Sequence, residues 1–456
     1  MESSTFTRPE RGALLELRVD ALAYGGNGVA RLDAGDGRGG YVVFVAGAVP
    51  GDCVRAVVTK RKRGYAEART VELLEPSPER IAPRADHPGA PWQVLPYERQ
   101  LAVKHEQVGD ALTRIGRLDG FALDAIVPAV QRWRYRNKLE YSFGSDAAGE
   151  LVCGFHAPGS WHEIVPIEDC MLASERSNAA RDQVVGWCRE QGLPAFDRRT
   201  HSGMLRNLVV REGRRTGELQ VRLVTGPGDL DTAGLAAAVD CEGLMWTRTD
   251  ALAETTQGGT TELVAGAPAL EEELFGLRLA ISPLAFFQTN TEMAERLYAV
   301  AAELAGLRGW ERLFDLYCGI GTIGLSLAAR AGEVWGLEIV EDAIADAIAN
   351  ARRNEIANAR FFAGDVRLAL RELTAQAGRP DVLVVDPPRA GLSQKVVRRI
   401  IEAAPRRIVY VSCNPTTLAP NAAQLVEAGY ALRRVVPVDM FPQTPHIECV
   451  ALLERA

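Results

Sequence analysis

A chain of 456 residues, 47% hydrophobic and 24% charged, has the length of about three domains and ordinary globular usage, which excludes a disordered, collagen-like or coiled-coil protein. No apolar run approaches the ~18–20 residues of a spanning helix, and Met1–Glu10 lacks the apolar stretch of a secretion signal, so a cytoplasmic protein is expected. The net charge of −7 speaks against nucleic acid only until it is divided: residues 1–80 carry 12 basic and 11 acidic side chains, residues 281–456 carry 19 and 20, and the acidic excess lies between.

The predicted elements begin with an all-β module over residues 1–75. Short β-rich runs at Leu14–Val19, Tyr41–Val45 and Cys53–Thr59 are separated by the turns Tyr24-Gly25-Gly26-Asn27-Gly28 and Pro50-Gly51-Asp52. Then comes Lys60-Arg61-Lys62-Arg63-Gly64-Tyr65; with Arg55 and Arg69 set against Glu67, fifteen residues carry +5. A small barrel with a basic hairpin and an aromatic ring is how oligonucleotide-binding barrels hold phosphates and bases. Charge alone fits a solvated loop equally well.

Pro76, Pro78, Pro83, Pro88, Pro91 and Pro96 punctuate a linker, and Tyr97–Ile115 reads as an amphipathic helix available to pack on the C-terminal region. A mixed α+β region follows, to about residue 280. It holds Arg132-Trp133-Arg134-Tyr135-Arg136-Asn137-Lys138, where four cations interleave with two aromatics and no acid. That is the pattern of an RNA-contacting strand, or of a strand with one solvated charged face. From residue 281 strands and helices alternate, as in a doubly wound parallel sheet. Strands are predicted at Arg312–Tyr317, Glu333–Glu338, Arg360–Ala363, Val382–Val385 and Arg407–Val411, helices at Thr322–Ala331 and Ala343–Asn354, and late strands near Leu432–Val436 and Glu448–Leu453.

Three loops of this last region carry chemistry. Gly319-Ile320-Gly321-Thr322-Ile323-Gly324 joins a strand to a helix, and Glu338 ends the next strand nineteen residues after Gly319. Such glycines admit a ligand close to the backbone and such an acid accepts from ribose hydroxyls, so an adenosine-containing cofactor is expected, either a dinucleotide or S-adenosylmethionine (SAM). The fourth strand ends in Asp386-Pro387-Pro388-Arg389, at the sheet edge where ligands sit. After the fifth strand stands Ser412-Cys413-Asn414-Pro415, which puts a thiol beside Asp386 in the expected strand order; a thiolate there is a nucleophile. His446-Ile447-Glu448 offers a carboxylate as base, whereas Cys449 reads as an inward-facing core residue. The eight cysteines contain no C-x-x-C pair and read as reduced thiols.

Together these strings resemble the SAM-dependent RNA uracil-C5 methyltransferases, which form 5-methyluridine in bacterial ribosomal and transfer RNA. The resemblance rests on Asp315–Gly324, Asp386–Arg389, Ser412–Pro415 and His446–Val450, with Phe286-Phe287-Gln288-Thr289-Asn290 similar to the segment leading into the family's catalytic domain. Residues 1–75 resemble a TRAM domain, an RNA-binding barrel. The implied architecture is multidomain: a TRAM/OB-like β-barrel (1–75), a linker and mixed α+β RNA-contacting domain (76–280), and a C-terminal α/β Rossmann-like class I methyltransferase domain (281–456). The resemblance further implies that Gln288, Tyr317, Gly319, Gly321, Thr322, Glu338 and Asp386 hold SAM, with Thr322 at a position often filled by asparagine. Cys413 is the implied nucleophile and Glu448 the implied proton acceptor. Lys60, Arg61, Lys62, Arg63, Arg132, Arg134, Arg136 and Lys138 are the candidate RNA contacts, and a monomer acting on ribosomal in preference to transfer RNA is expected.

One departure from the family pattern matters. Ribosomal-RNA members often carry a four-cysteine iron–sulfur site, with a C-x-x-C ahead of a Trp/Leu-Gln-x-Leu-x-Tyr stretch. Here His87-Pro88-Gly89-Ala90 precedes Gln93 and Tyr97, and only Cys170 stands at a cluster-like position. One thiolate cannot replace about four ligands, so neither a cluster nor another metal is expected. Three other readings compete. An NAD-dependent oxidoreductase explains the glycine loop and Glu338 but leaves the Asp-Pro-Pro-Arg loop and Cys413 idle. A non-catalytic RNA-binding protein on a methyltransferase scaffold does not need Cys413 and Glu448. A SAM-dependent N-methyltransferase would use the proline loop on an exocyclic amine without a nucleophilic cysteine.

Overall fold

The computed structural model describes residues 8–33 and 40–455. The reading of Met1–Glu10 therefore falls largely outside the described residues. Among those described, no helix is long and apolar enough to cross a membrane.

The N-terminal barrel closes because one run of chain pairs on both sides. Leu14–Arg18 pairs with Cys53–Arg61, while its continuation Ala21–Leu22 pairs with Gly28–Leu32. The strand order is Leu14–Arg18, Cys53–Arg61, Tyr65–Glu75, Tyr41–Ala46, Gly28–Leu32, Ala21–Leu22, so the sheet begins and ends on the same segment. Period-2 alternation puts Val43, Val45, Val54, Ala56, Val58, Ala66 and Ala68 inside, all buried.

The central region is a seven-stranded sheet in the order Ile164–Pro166, Leu151–His156, Lys138–Ser145, Leu205–Glu212, Leu219–Thr225, Gly243–Arg248, Thr260–Gly266. Helix Glu175–Glu190 covers one face, packed on Leu139, Tyr141, Leu208 and Val221. The stretch expected as a strand over 132–138 is irregular up to Asn137, and the strand starts only at Lys138. Alternation fails because Arg134 adopts a left-handed φ of 56° while Tyr135 is fully buried, its hydroxyl donating to the Pro442 carbonyl at 3.0 Å.

The C-terminal sheet has eight strands, ordered Ala359–Ala363, Glu333–Glu338, Arg312–Leu316, Val382–Val385, Arg407–Ser412, Glu448–Arg455, Tyr430–Val438, Ala122–Leu123. Its first five strands are parallel, and Glu448–Arg455 runs antiparallel between Arg407–Ser412 and Tyr430–Val438. The two-residue edge strand comes from the linker region, and the helix before it packs here as well. Tyr97–Asp110 is α-helical and ends in a π-helical turn, Ala111–Ile115. Val108, Ala111 and Leu112 bury against Leu418, Ala422, Leu432 and Val435. Helix Thr322–Ala328 is a turn shorter than its sequence suggests, and Glu341–Arg353 starts two residues earlier.

Candidate active site

Three strand ends converge. Asp386 follows Val382–Val385, Cys413 follows the neighbouring Arg407–Ser412, and Cys449 lies directly opposite Ser412 across the antiparallel pair, which brings Glu448 beside the Cys413 loop. The loop is fixed by its own side chains. Ser412 Oγ accepts from the Asn414 N–H at 3.2 Å, and the Asn414 carboxamide caps helix Pro415–Glu427 through the Thr416 N–H at 3.0 Å while donating to the Arg389 carbonyl at 3.1 Å. Cys449 is buried as expected, its thiol donating to the Ser412 carbonyl at 3.6 Å.

Electrostatically the site is acidic. Cys413 is half-buried, and burial, followed by the Glu448 and Asp386 carboxylates, pushes its thiol up to about 12, against the pull of Arg389. Burial lifts Asp386 to about 7. Glu448 is raised well above the carboxylate range by burial and then by Asp386. Three groups that prefer to be protonated thus surround one point, with Arg389 as the opposing cation.

A ligand cradle adjoins them. Glu338 accepts from the N–H groups of Gly319 (3.3 Å), Ile339 (2.7 Å) and Val340 (3.1 Å), tying the glycine loop to the next strand. Gly319 has φ +53° and open space where a Cβ would stand; at Gly321, φ +85°, a Cβ would meet Phe361 at 3.0 Å. A cleft of about 780 Å³ runs from Gly319 and Glu338 past Phe286 to Leu263 of the central sheet. A second hollow, of about 230 Å³, lies among Tyr317, Ile339, Asp365 and Val366. Gln288 is buried, its carbonyl accepting from Asn137 Nδ2 at 2.9 Å. Thr322 faces the Tyr298 hydroxyl at 3.4 Å. Asp315 accepts from the Gly324 N–H through Oδ2 at 2.8 Å, and its buried Oδ1 has no partner.

The basic candidates separate into two sets. Lys60, Arg61, Lys62 and Arg63 are exposed at the tip of the hairpin Cys53–Arg61/Tyr65–Glu75, with Lys60 paired to Glu67 at 2.9 Å. Of the second set, Arg132 is exposed and Arg134, Arg136 and Lys138 are half-buried, each against a partner. Arg132 stacks on Tyr97 at 4.2 Å, Arg134 pairs with Asp169 at 2.7 Å, Arg136 lies over Phe441 at 5.7 Å, and Lys138 meets Glu140 at 2.5 Å. Residues 132–138 thus join the central sheet to the catalytic one and present no continuous basic strip. At the cluster-like position, Gly89 N–H donates to His87 Nδ1 (3.1 Å), so Nε2 carries the proton toward Cys170 Sγ at 3.2 Å. Among the described residues, no group of three or more His, Cys, Asp or Glu is arranged to hold a metal.

Sequence reasoning missed Arg389 as the counter-charge, although it stands in the quoted loop. It also missed Phe286, Ile339 and Asp365, which line the two hollows. Gly364-Asp365, directly after a strand, was the available signal for one of them.

Residues 278–456 match the family described as tRNA (uracil-5-)-methyltransferase, and residues 8–71 match the TRAM domain. An uncharacterized RNA methyltransferase of Halalkalibacterium halodurans is 37% identical over 453 residues, 97% of each chain. Another, from Gloeobacter violaceus, is 40% identical over 98% of this chain and 99% of its own. The chain belongs to the RNA uracil-C5 methyltransferase family. Its fold agrees: the Pyrococcus abyssi tRNA (uracil-54, C5)-methyltransferase, solved with S-adenosyl-L-homocysteine, superposes with a TM-score of 0.77 at 29% identity, over 96% of this chain and 100% of that one. The methyltransferase uses SAM. The cradle suits it, since the open face of Gly319 admits a ligand and Glu338 keeps acceptor capacity for ribose hydroxyls. When bound, SAM supplies a methyl group on a positively charged sulfonium.

Proposed function

We propose that this methyltransferase modifies C5 of a uridine through a covalent bond between Cys413 and C6. The observation that carries this reading is the register Ser412–Cys449, which sets Cys413, Asp386 and Glu448 at one point of the sheet. Uracil C5 is a weak nucleophile. The Cys413 thiol gives up its proton to solvent and bonds to C6, the C5–C6 π electrons move toward C5 and O4, and C5 then takes the methyl group, leaving S-adenosyl-homocysteine. Glu448 must be ionised for the last step, and burial makes its carboxylate a strong base: it removes the C5 proton, the double bond re-forms and the C6–S bond breaks to return the Cys413 thiolate, which is then reprotonated. Gln288, Tyr317, Gly319, Gly321, Thr322, Glu338 and Asp386 line the SAM site. Residues 1–75 and 76–280 hold the RNA for the catalytic unit 281–456, and Lys60–Arg63 contact phosphates.

The proposed substrate is ribosomal RNA, by analogy with the family; the likeness to the Pyrococcus enzyme over 96% of this chain favours transfer RNA as the second reading. Nucleoside mass spectrometry of both RNAs, from cells with and without the gene, tests this. One pool should lose 5-methyluridine, and a Cys413→Ala copy should fail to restore it. Glu448→Gln should instead accumulate protein joined to RNA, seen as a slow band on a denaturing gel. Unchanged 5-methyluridine in both pools, or an active Cys413→Ala enzyme, overturns the reading.

A further inference from the structure

The barrel does more than sit beside the catalytic sheet. Its turn after Ala21–Leu22 is closed by the Gly26 N–H to Ala23 carbonyl bond (3.0 Å) and the Ala23 N–H to Asn27 carbonyl bond (2.8 Å). This turn reaches both loops that carry the reacting groups. A Cβ on Gly26 would lie 2.9 Å from Pro445, three residues before Glu448, so no side chain fits there. Two residues earlier, the Tyr24 hydroxyl donates to the Cys413 carbonyl at 3.1 Å. The docking is anchored by Leu22, Val49, Trp92, Leu95 and Val103, an apolar cluster shared by barrel, linker and helix, and by Gln107 Nε2, which donates to the Leu22 carbonyl at 3.2 Å.

The neighbours of Cys413 are held from within the catalytic domain, Ser412 and Asn414 by each other and Asn414 also by Arg389. Cys413 itself is not. It lies past the end of strand Arg407–Ser412 and before helix Pro415–Glu427, and among the described residues no donor besides Tyr24 reaches its carbonyl. The orientation of that peptide sets the direction of the thiol. The Tyr24 ring packs against the catalytic core, and burial, with the charge of Cys413 next, raises the phenol to about 12, so it remains a donor across the physiological range.

We propose that Tyr24 is a positioning residue of the catalytic centre, supplied by the barrel: its hydroxyl fixes the Cys413 peptide, so thiol addition depends on the barrel separately from RNA binding. This rests on the reading of Cys413 as nucleophile.

Tyr24→Phe in the full chain is the test, because it keeps the ring and removes one hydrogen bond. Methyl transfer is followed from labelled SAM to total RNA from cells lacking the gene. Loss of one such bond predicts a fall in kcat of about 3- to 10-fold. KM for SAM and for the RNA pool should stay within about twofold, and so should filter-binding affinity for that pool. Tyr24→Ala, which also loses the ring, should fall further in kcat. An unchanged kcat in Tyr24→Phe overturns the proposal, and so does a loss confined to RNA affinity, which would make Tyr24 an RNA contact. Cys413→Ala is assayed in parallel. Activity in that variant overturns the nucleophile itself, whereas an inactive Cys413→Ala beside a fully active Tyr24→Phe overturns only the positioning.

Discussion

In the free protein Cys413 faces two carboxyl groups and one guanidinium, and burial acts in the same direction as the carboxyls. A preformed thiolate is disfavoured there; on the proposed mechanism the thiol loses its proton as the substrate base arrives, and the charge passes into the pyrimidine. The same burial makes the site a stability cost with a definite pH sense. Asp386 ionises near 3.8 ordinarily and near 7 when folded, so between those values the native state holds a proton that the unfolded chain has released. Stability therefore falls as pH rises from about 4 to 7, by at most about 1.4 kcal/mol per pH unit for this group. Asp386→Asn cannot ionise and should gain on the parent over that window; denaturant melts at several pH values measure the gap, and a gap independent of pH refutes the shift. The candidate residues of this site were readable as strings, since Asp386, Cys413 and Glu448 stand at strand ends, and the structure brings those ends together. Their protonation was not, because it arises from burial among strands that are distant in sequence.

Among elements, the glycine loop shows two different needs for the same residue. Gly319 and Gly321 both have positive φ, but only Gly321 is crowded, by Phe361 at 3.0 Å and Ala347 at 3.2 Å. In the SAM-free protein, Gly319→Ala should cost about 1–2 kcal/mol of backbone strain, and Gly321→Ala should cost more because Phe361 must also shift. Thermal melts rank the two; equal losses would mean that strain alone sets the requirement. The parallel strands and the cradle helix were readable from apolar runs broken by glycine. Residues 132–138 were not. Composition alone cannot show that Asp169, Glu140 and the rings of Tyr97 and Phe441 would meet those cations, and a cation with a partner looks in sequence like one without.

For the molecule as a whole, the exposed hairpin tip is the basic stretch proposed to meet phosphates, although Lys60 there is paired with Glu67. Neutralising Lys60, Arg61, Lys62 and Arg63 together should weaken RNA binding across sequences and reduce the slope of log affinity against log salt by up to about 0.9 per lost contact; an unchanged slope in filter binding assigns the run to a solvated loop. The three-part layout is an expectation from the proline-punctuated linker and the change of element pattern at residue 281; the contacts between its parts were not readable, because they join residues hundreds of positions apart. Lys104 and Asp439, both fully buried and 2.5 Å apart, are separated by 335 positions, with the Tyr97 hydroxyl on the same carboxylate at 2.7 Å. During synthesis at about 5–20 residues per second, such a gap lasts roughly 15–70 s. Through that interval helix Tyr97–Asp110 has left the ribosome with an apolar face whose cover is not yet made and an ammonium group whose counter-ion does not yet exist. The linker helix therefore cannot complete its packing until Asp439 has been made, and the catalytic sheet closes on it only then.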